Sequence, residues 1–258
     1  MNEDRSVLSR SATRPDTVVR WGPEVDQVAD VRLGDADRAL LLVLHGGFWR
    51  PEYDRVHLRP MTEALAAAGW TVATPEYRRV PGDPDATCAD VRTALAVLPG
   101  ELAGRHDGRV VVLGHSAGGH LALWAAVQAP PPGLVGTLAL APVADLLGAE
   151  HDHLDDGAVM AFLGGPAYDR GDLDPTRLPS PAMPVTVLHG DADRLVPLAQ
   201  SEAYAGTHPS TRLEVLPTTG HFAVIDPLSG AWPRVLAAVA DLAPPPPRAT
   251  DGTGPRSP

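Results

Sequence analysis

Residues 39–46 read ALLLVLHG, and the five residues from Leu40 to Leu44 include no polar side chain. A strand sends alternate side chains to opposite faces, so an unbroken apolar run needs cover on both faces. Comparable runs recur as WTVATPEYR, RVVVLG, LVGTLALAP, MPVTVLHG and TRLEVLP. Between and after them lie stretches of helical period: HLRPMTEALAAAG, PDATCADVRTALAVL, AGGHLALWAAVQ, LAQSEAYAG and LSGAWPRVLAAVADL. This alternation predicts an α/β domain with a mostly parallel central sheet and helices on both faces. Ahead of the series, TVVRWG and QVADVRLG fit an antiparallel hairpin at the sheet edge.

A chain of 258 residues can build one such domain with a substantial core. Its expected limits are 17–242, flanked by a polar, mobile arm at 1–16 and a disordered Pro-rich tail at 243–258. Residues 145–182 form a connection too long for an ordinary loop, which suggests a lid or cap insertion. Within it, DDGAVMAFLGG fits a short capped helix.

The 21 basic residues against 32 acidic ones give a net charge of −11, which would repel a phosphate backbone and excludes nucleic acid as the expected partner. Every basic residue is arginine, which rules out a P-loop lysine and a lysine Schiff base. The one cysteine, Cys88, sits in an amphipathic pattern and reads as a packed thiol. The opening MNEDRSVLSRSATRPD lacks the apolar core of a secretion signal, and no apolar run approaches the ~18 residues that span a bilayer. A cytoplasmic protein without a membrane partner is expected.

The chemistry centres on GHSAGGH at 114–120, directly after RVVVL. A serine on a sharp strand-to-helix turn has its oxygen lifted clear of the backbone, and the N–H of Ala117 at the helix start is free for an oxyanion. Serine needs a base to take its proton. Of ten histidines, His221 in TTGHFAV follows a predicted strand, on the side of a parallel sheet where active sites gather. The carboxylate that would hold that base can be Asp191 or Asp193, both in VTVLHGDADRLVP after another strand. A second oxyanion donor can come from HGGFW, where glycines let the backbone approach the reacting oxygen.

HGGFW, GHSAGGHLALWAA, HGDADRLVP and GHF, in that order, resemble the α/β-hydrolase superfamily over residues 17–242. They are most like its esterase and kynurenine formamidase (arylformamidase) branch, in which an HGGxW stretch forms the oxyanion hole. The resemblance implies the α/β-hydrolase fold with a short lid insertion. It also implies Ser116 as nucleophile, Asp193 as acid and His221 as base. Asp193 is preferred over Asp191 by its place in HGxxDxxVP. Gly47, Phe48 and Ala117 would supply the oxyanion N–H groups, and Trp49 would wall the substrate pocket.

Of the remaining candidates, EHDHLDD offers ligand types in His151, His153 and Asp155 but reads better as a solvated acidic loop. His115 and His120 suit packing or support. His45 and His189, each before a glycine at a strand end, could bond neighbouring loops. The tryptophans read as core and pocket lining, and Tyr77 and Arg78 could reach the substrate mouth. The expected protein is a serine hydrolase acting through an acyl-enzyme on a small carboxylic ester or N-formyl aryl amide, with no metal or organic cofactor. The oligomeric state stays open. An aminopeptidase-like α/β-hydrolase, which would need an acidic clamp for a substrate amine, and a catalytically silent member acting as a binding protein are the competing readings.

Overall fold

A computed structural model describes residues 3–244. The expected tail lies, from residue 245 onward, outside the described residues. Eight strands form one sheet: β1 (Thr17–Arg20), β2 (Val28–Arg32), β3 (Leu40–Leu44), β4 (Thr71–Pro75), β5 (Val110–His115), β6 (Leu134–Leu140), β7 (Val185–Gly190) and β8 (Arg212–Leu216). Their spatial order is β1-β2-β4-β3-β5-β6-β7-β8. β1 and β2 form the expected antiparallel edge hairpin, β2 meets β4 antiparallel, and every other pairing is parallel.

The helices are α1 (Arg59–Ala67), α2 (Pro84–Glu101), α3 (Ala117–Gln128), α4 (Leu146–His151), α5 (Leu154–Leu163), α6 (Ala199–Thr207) and α7 (Trp232–Leu242). The apolar run of β3 shows why both faces need cover. Leu40, Leu42 and Leu44 face a core built with Val91, Leu95 and Leu98 of α2 and Leu121 and Trp124 of α3. Leu41 and Val43 face the other core, with Met61 and Leu65 of α1 and Val235 and Val239 of α7. Each fully buried aliphatic side chain contributes roughly 1.5–3 kcal/mol of transfer free energy, so β3 stabilises both layers at once. Local signals begin the helices: Asp83 accepts the Ala86 N–H at 3.2 Å with Pro84 at the first turn of α2.

Because β3, β5, β6, β7 and β8 run in parallel, their carboxyl ends share one edge of the sheet, and the loops leaving β3, β5, β7 and β8 gather there. Residues 145–182 fold into α4, α5 and two short 3-10 turns. Asp145 caps α4 by accepting the Gly148 N–H at 2.9 Å, and α5 ends on Gly164 at φ 71°. Phe162, Leu163 and Leu173 of this insertion join the core beneath α2 and α3. No helix among the described residues is long and apolar enough to cross a membrane.

One expectation needs correction. Residues 3–16, read as part of a mobile arm, lie against the domain. Val7 is buried in the α1/α7 core, and Arg10 forms a two-pronged ion pair with Asp226, one hydrogen bond at 2.9 Å. Thr13 accepts from Arg32 at 2.8 Å and donates its N–H to Glu63 at 3.1 Å, while Asp16 accepts the Leu33 N–H at 2.7 Å. The composition of this segment is that of a solvated chain, but its polar side chains find partners far away in sequence, and composition carries no record of them.

Candidate active site

Ser116 is the residue between β5 and α3, and its backbone at φ 58°, ψ −121° is a conformation that non-glycine residues rarely hold. The strain is imposed from both sides. Its N–H donates to Leu140 O of β6 at 2.9 Å, and its carbonyl accepts from His120 N at 3.0 Å, the first turn of α3. A Cβ at Gly114 would collide with the Gly118 backbone, and one at Gly118 with the carbonyl oxygens of Leu44 and His45. Gly119 meets the Pro142 side chain, where a Cβ would stand 2.8 Å from Pro142 Cβ. The elbow exists because these positions carry no side chain.

The HGGFW loop leaves β3 and passes against the elbow. A Cβ on Gly46 would lie 2.8 Å from His115 O and 3.0 Å from Ser116 Cβ, so glycine permits this approach. Gly47, Phe48 and Trp49 all take positive φ, at 112°, 48° and 56°, and this turn directs the loop. Neither Gly47 nor Phe48 donates its N–H to an acceptor among the described residues. Ala117 opens α3, where an N–H has no intrahelical partner. These three amides, together with the helix dipole, suit a developing negative charge.

Beneath the loop, Tyr77 donates its hydroxyl to His45 O at 2.6 Å and stacks on the His45 ring at 4.3 Å. The His45 ring spans Gly46 O and a Glu76 carboxylate oxygen, each at 2.8 Å. Burial pushes the Glu76 carboxyl up, but the hydrogen bond and charge of His45 and the charge of Arg79 outweigh it and bring it down to about 2. Tyr77 and Arg78 therefore do not reach the substrate mouth: Tyr77 supports the loop from inside, and Arg78 pairs with Asp90 at 2.7 and 2.8 Å. His45 bonds its neighbours, as expected.

After β7, Asp193 accepts from His221 Nδ1 at 2.6 Å, and its other carboxylate oxygen accepts the N–H groups of Leu195 and Val196, both at 2.9 Å. His189 Nε2 lies 3.3 Å from the oxygen that holds His221, and His189 Nδ1 is 2.6 Å from Ser201 Oγ. Burial alone would raise the Asp193 carboxyl. The hydrogen bonds from His189 and His221 prevail and hold it well below the usual carboxylate range. Asp191 instead accepts the Thr218 N–H at 2.6 Å and makes no pair with His221, which separates the two aspartates that residue types alone left equivalent.

His221 occupies the loop after β8. His115 Nε2 lies 3.0 Å from His221 O, and since a carbonyl only accepts, that ring nitrogen carries the proton. Burial, and then the neighbouring His221, push the His115 imidazole well below its ordinary value, so it supports the loop as a neutral donor. His120 does the same for the insertion, bonding Leu173 O at 2.8 Å. Ser116 and His221 line one cleft of about 370 Å³ with Phe48, Tyr53, Val56 and Phe222. No hydrogen bond joins Ser116 Oγ to His221 among the described residues, and such bonds commonly close only around a substrate.

Trp49 departs from its expected place. It is buried, stacks on Phe162 of α5 at 4.5 Å and meets the His120 ring edge-on at 5.1 Å, outside the residues that line the cleft. The positive φ values at Phe48 and Trp49 turn it into the core, and Phe48 takes the cleft side. Among the described residues no group of three or more His, Cys, Asp or Glu is arranged to hold a metal ion. In the EHDHLDD stretch, Asp155 pairs with Arg50 at 2.6 Å. Cys88 is buried, and burial pushes its thiol up to about 12, far from a reactive thiolate.

A strained serine after β5, a His–Asp pair from the loops after β8 and β7, and a glycine loop after β3 are the parts of one fold class, and sequence comparison agrees. The chain belongs to the α/β-hydrolase family, whose fold model matches residues 41–170. Esterase LipQ of Mycobacterium tuberculosis is 29% identical over 187 residues, covering 64% of this chain and 44% of that protein. The chain thus spans less than half the length of this curated relative. Among solved structures, esterase B from Lactobacillus rhamnosis superposes with a TM-score of 0.71 at 20% identity, over 92% of this chain and 87% of that one. An esterase from Thermogutta terrifontis with propionate bound gives a TM-score of 0.65 at 21% identity, over 87% of this chain and 92% of that one. At these identities the solved structures speak for the fold.

Proposed function

We propose that this protein is a serine hydrolase that cleaves a small carboxylic ester, or by the same steps an N-formyl aryl amide, through an acyl-enzyme. The observation that carries the reading is the His221–Asp193 hydrogen bond of 2.6 Å in the cleft lined by Ser116. In the first half-reaction, His221 Nε2 takes the Ser116 proton as Oγ bonds to the substrate carbonyl carbon. Asp193 keeps the other ring nitrogen protonated and offsets the imidazolium charge. The carbonyl oxygen becomes an oxyanion received by the amides of Gly47, Phe48 and Ala117. His221 then gives its proton to the departing alcohol or amine as the carbon–heteroatom bond breaks. Water, deprotonated by His221, attacks the acyl-serine, and the proton returns to Ser116 Oγ as the acid leaves. The cycle uses only water and the chain's own residues.

Leu8, Val56, Leu195 and Phe222 give the cleft apolar surface that suits a small acyl group, beside the charged Arg5, Glu52, Asp54 and Asp155 that also line it. The propionate-bound Thermogutta esterase and the family's esterases favour the ester over the amide. A fluorophosphonate probe tests the nucleophile, with labelling of wild type and none of Ser116→Ala as the expected result. Unlabelled wild type overturns the proposal. Turnover of a panel of short p-nitrophenyl esters beside N-formylkynurenine then ranks the two substrate classes, with the short esters expected to be faster.

A further inference from the structure

His221 stands in a loop without regular secondary structure, and three separate ties hold it. Its ring is held by Asp193 and its carbonyl oxygen by His115. Its N–H donates to the carboxylate of Glu3 at 3.0 Å. The other Glu3 oxygen accepts the N–H of Arg194 at 2.7 Å, the residue directly after Asp193. One carboxylate from the start of the chain thus joins the loop that carries the acid to the loop that carries the base. The neighbouring Gly220 makes room for it, since a Cβ there would collide with Glu3 Oε2, although the backbone of Gly220 does not itself demand glycine.

The segment that delivers Glu3 is anchored independently, by buried Val7 and by the Arg10–Asp226 pair. The same segment enters the cleft, where Arg5 and Leu8 line it beside His221, with the Arg5 guanidinium 5.5 Å from the centre of the Phe222 ring. Asp4, next in sequence, accepts the Ser6 N–H at 2.9 Å within its own turn and has no hydrogen bond to the 191–196 or 218–223 loops among the described residues.

Hydrogen bonds from Ala192 N–H to Thr219 O and from Thr218 N–H to Asp191 already join the two loops. We infer that Glu3 is a positioning residue of the reaction: its carboxylate, held by the His221 and Arg194 amides, sets how His221 itself is presented, so that the imidazole meets Ser116 in register. The inference rests on the reading of His221 as the base. It places a working part of the site in a segment whose composition is that of a loose arm. A misplacement of the order of 1 Å costs up to about a hundredfold in rate, and loss of one of three ties corresponds to a smaller part of that, about tenfold.

The test compares Glu3→Ala, Glu3→Gln and Asp4→Ala with wild type. Glu3→Ala is expected to lower kcat and the rate of fluorophosphonate labelling by about tenfold, with KM and the thermal midpoint close to wild type. Glu3→Gln, which keeps one acceptor oxygen, should recover part of the loss, and Asp4→Ala should behave as wild type. Gly220→Ala, by displacing the carboxylate, should reproduce the Glu3→Ala defect in wild type and add little in the Glu3→Ala background. Hydrogen exchange supplies a readout that needs no activity: peptides covering 191–196 and 218–223 should exchange faster in Glu3→Ala. Unchanged exchange, additive effects of the two substitutions, or a rate loss that only follows a fall in thermal midpoint each overturn the inference. Absent labelling of wild type instead overturns the nucleophile, and the exchange data still judge the tie between the loops.

Discussion

The two poles of the cleft are held by opposite means. Ser116 is held by steric exclusion: Gly114, Gly118 and Gly46 leave its turn only the width of a backbone, and the strand β5 and helix α3 on either side cannot shift independently. His221 is buried too, and its loop packs on Gly190, but its own orientation is set by polar ties to three distant parts of the chain, Asp193, His115 and Glu3. A nucleophile whose orbital must point one way gains from a rigid seat. A base that shuttles a proton between two partners gains from hydrogen bonds that can shorten in the transition state. Damage to the glycine seat around Ser116 should therefore appear in folding, and damage to the ties around His221 in rate.

The largest expected effect removes one pole outright: Ser116→Ala should lower kcat by at least about 10⁴-fold without loss of fold, measured by ester turnover and circular dichroism. Asp193→Asn should cost kcat about 10⁴-fold, because the amide no longer fixes the His221 tautomer. Equal turnover by that variant would remove the base pole from the comparison. Gly118→Ala tests the steric seat, since its Cβ has no space against Leu44 O and His45 O. It should cost about 3 kcal/mol or more in urea unfolding or prevent soluble expression. Full stability there would mean that the elbow is not sterically fixed.

Glu76→Gln is the smallest of these and reaches the elbow from below, through His45. The Glu76 carboxyl is lowered from 4.5 to about 2 in the folded protein. Its contribution to stability is therefore complete above pH 4.5 and is lost as the pH falls from there toward about 2. Wild type should lose more of its thermal midpoint than the variant across that window. At neutral pH the substitution should cost about 2–3 kcal/mol, because Arg79 and His45 stay buried with a weaker partner. Parallel midpoints through the window would separate Glu76 from the support of the oxyanion loop.

The same contrast explains what could be read from the residues. Apolar runs such as LLLVL revealed the two-sided sheet because burial on both faces is a local composition, and GHSAGGH revealed the elbow because steric exclusion must be written as glycine. The loops after successive strands pointed to His221 and to Asp191 or Asp193, and Asp193 was singled out only by the resemblance of HGDADRLVP to the family pattern. Trp49 was misplaced because its direction depends on positive φ at two non-glycine residues, which no motif announces. Glu3 was missed because its partners are the N–H groups of Arg194 and His221, and a backbone amide leaves no mark on the sequence. Glu76 was missed for a related reason: a carboxylate after an apolar strand becomes legible only when His45 and Arg79 are seen around it.

The tie between Glu3 and the His221 loop also bears on how the protein can be handled. Glu3 accepts the His221 N–H, and Arg5 and Leu8 shortly after it line the cleft, so the start of the described chain is coupled to the site. A fusion at that end is expected to disturb the Glu3 carboxylate and, through it, the His221 loop. Kinetic constants measured with an amino-terminal tag would then describe the tag as much as the enzyme, and a removable one makes the difference measurable.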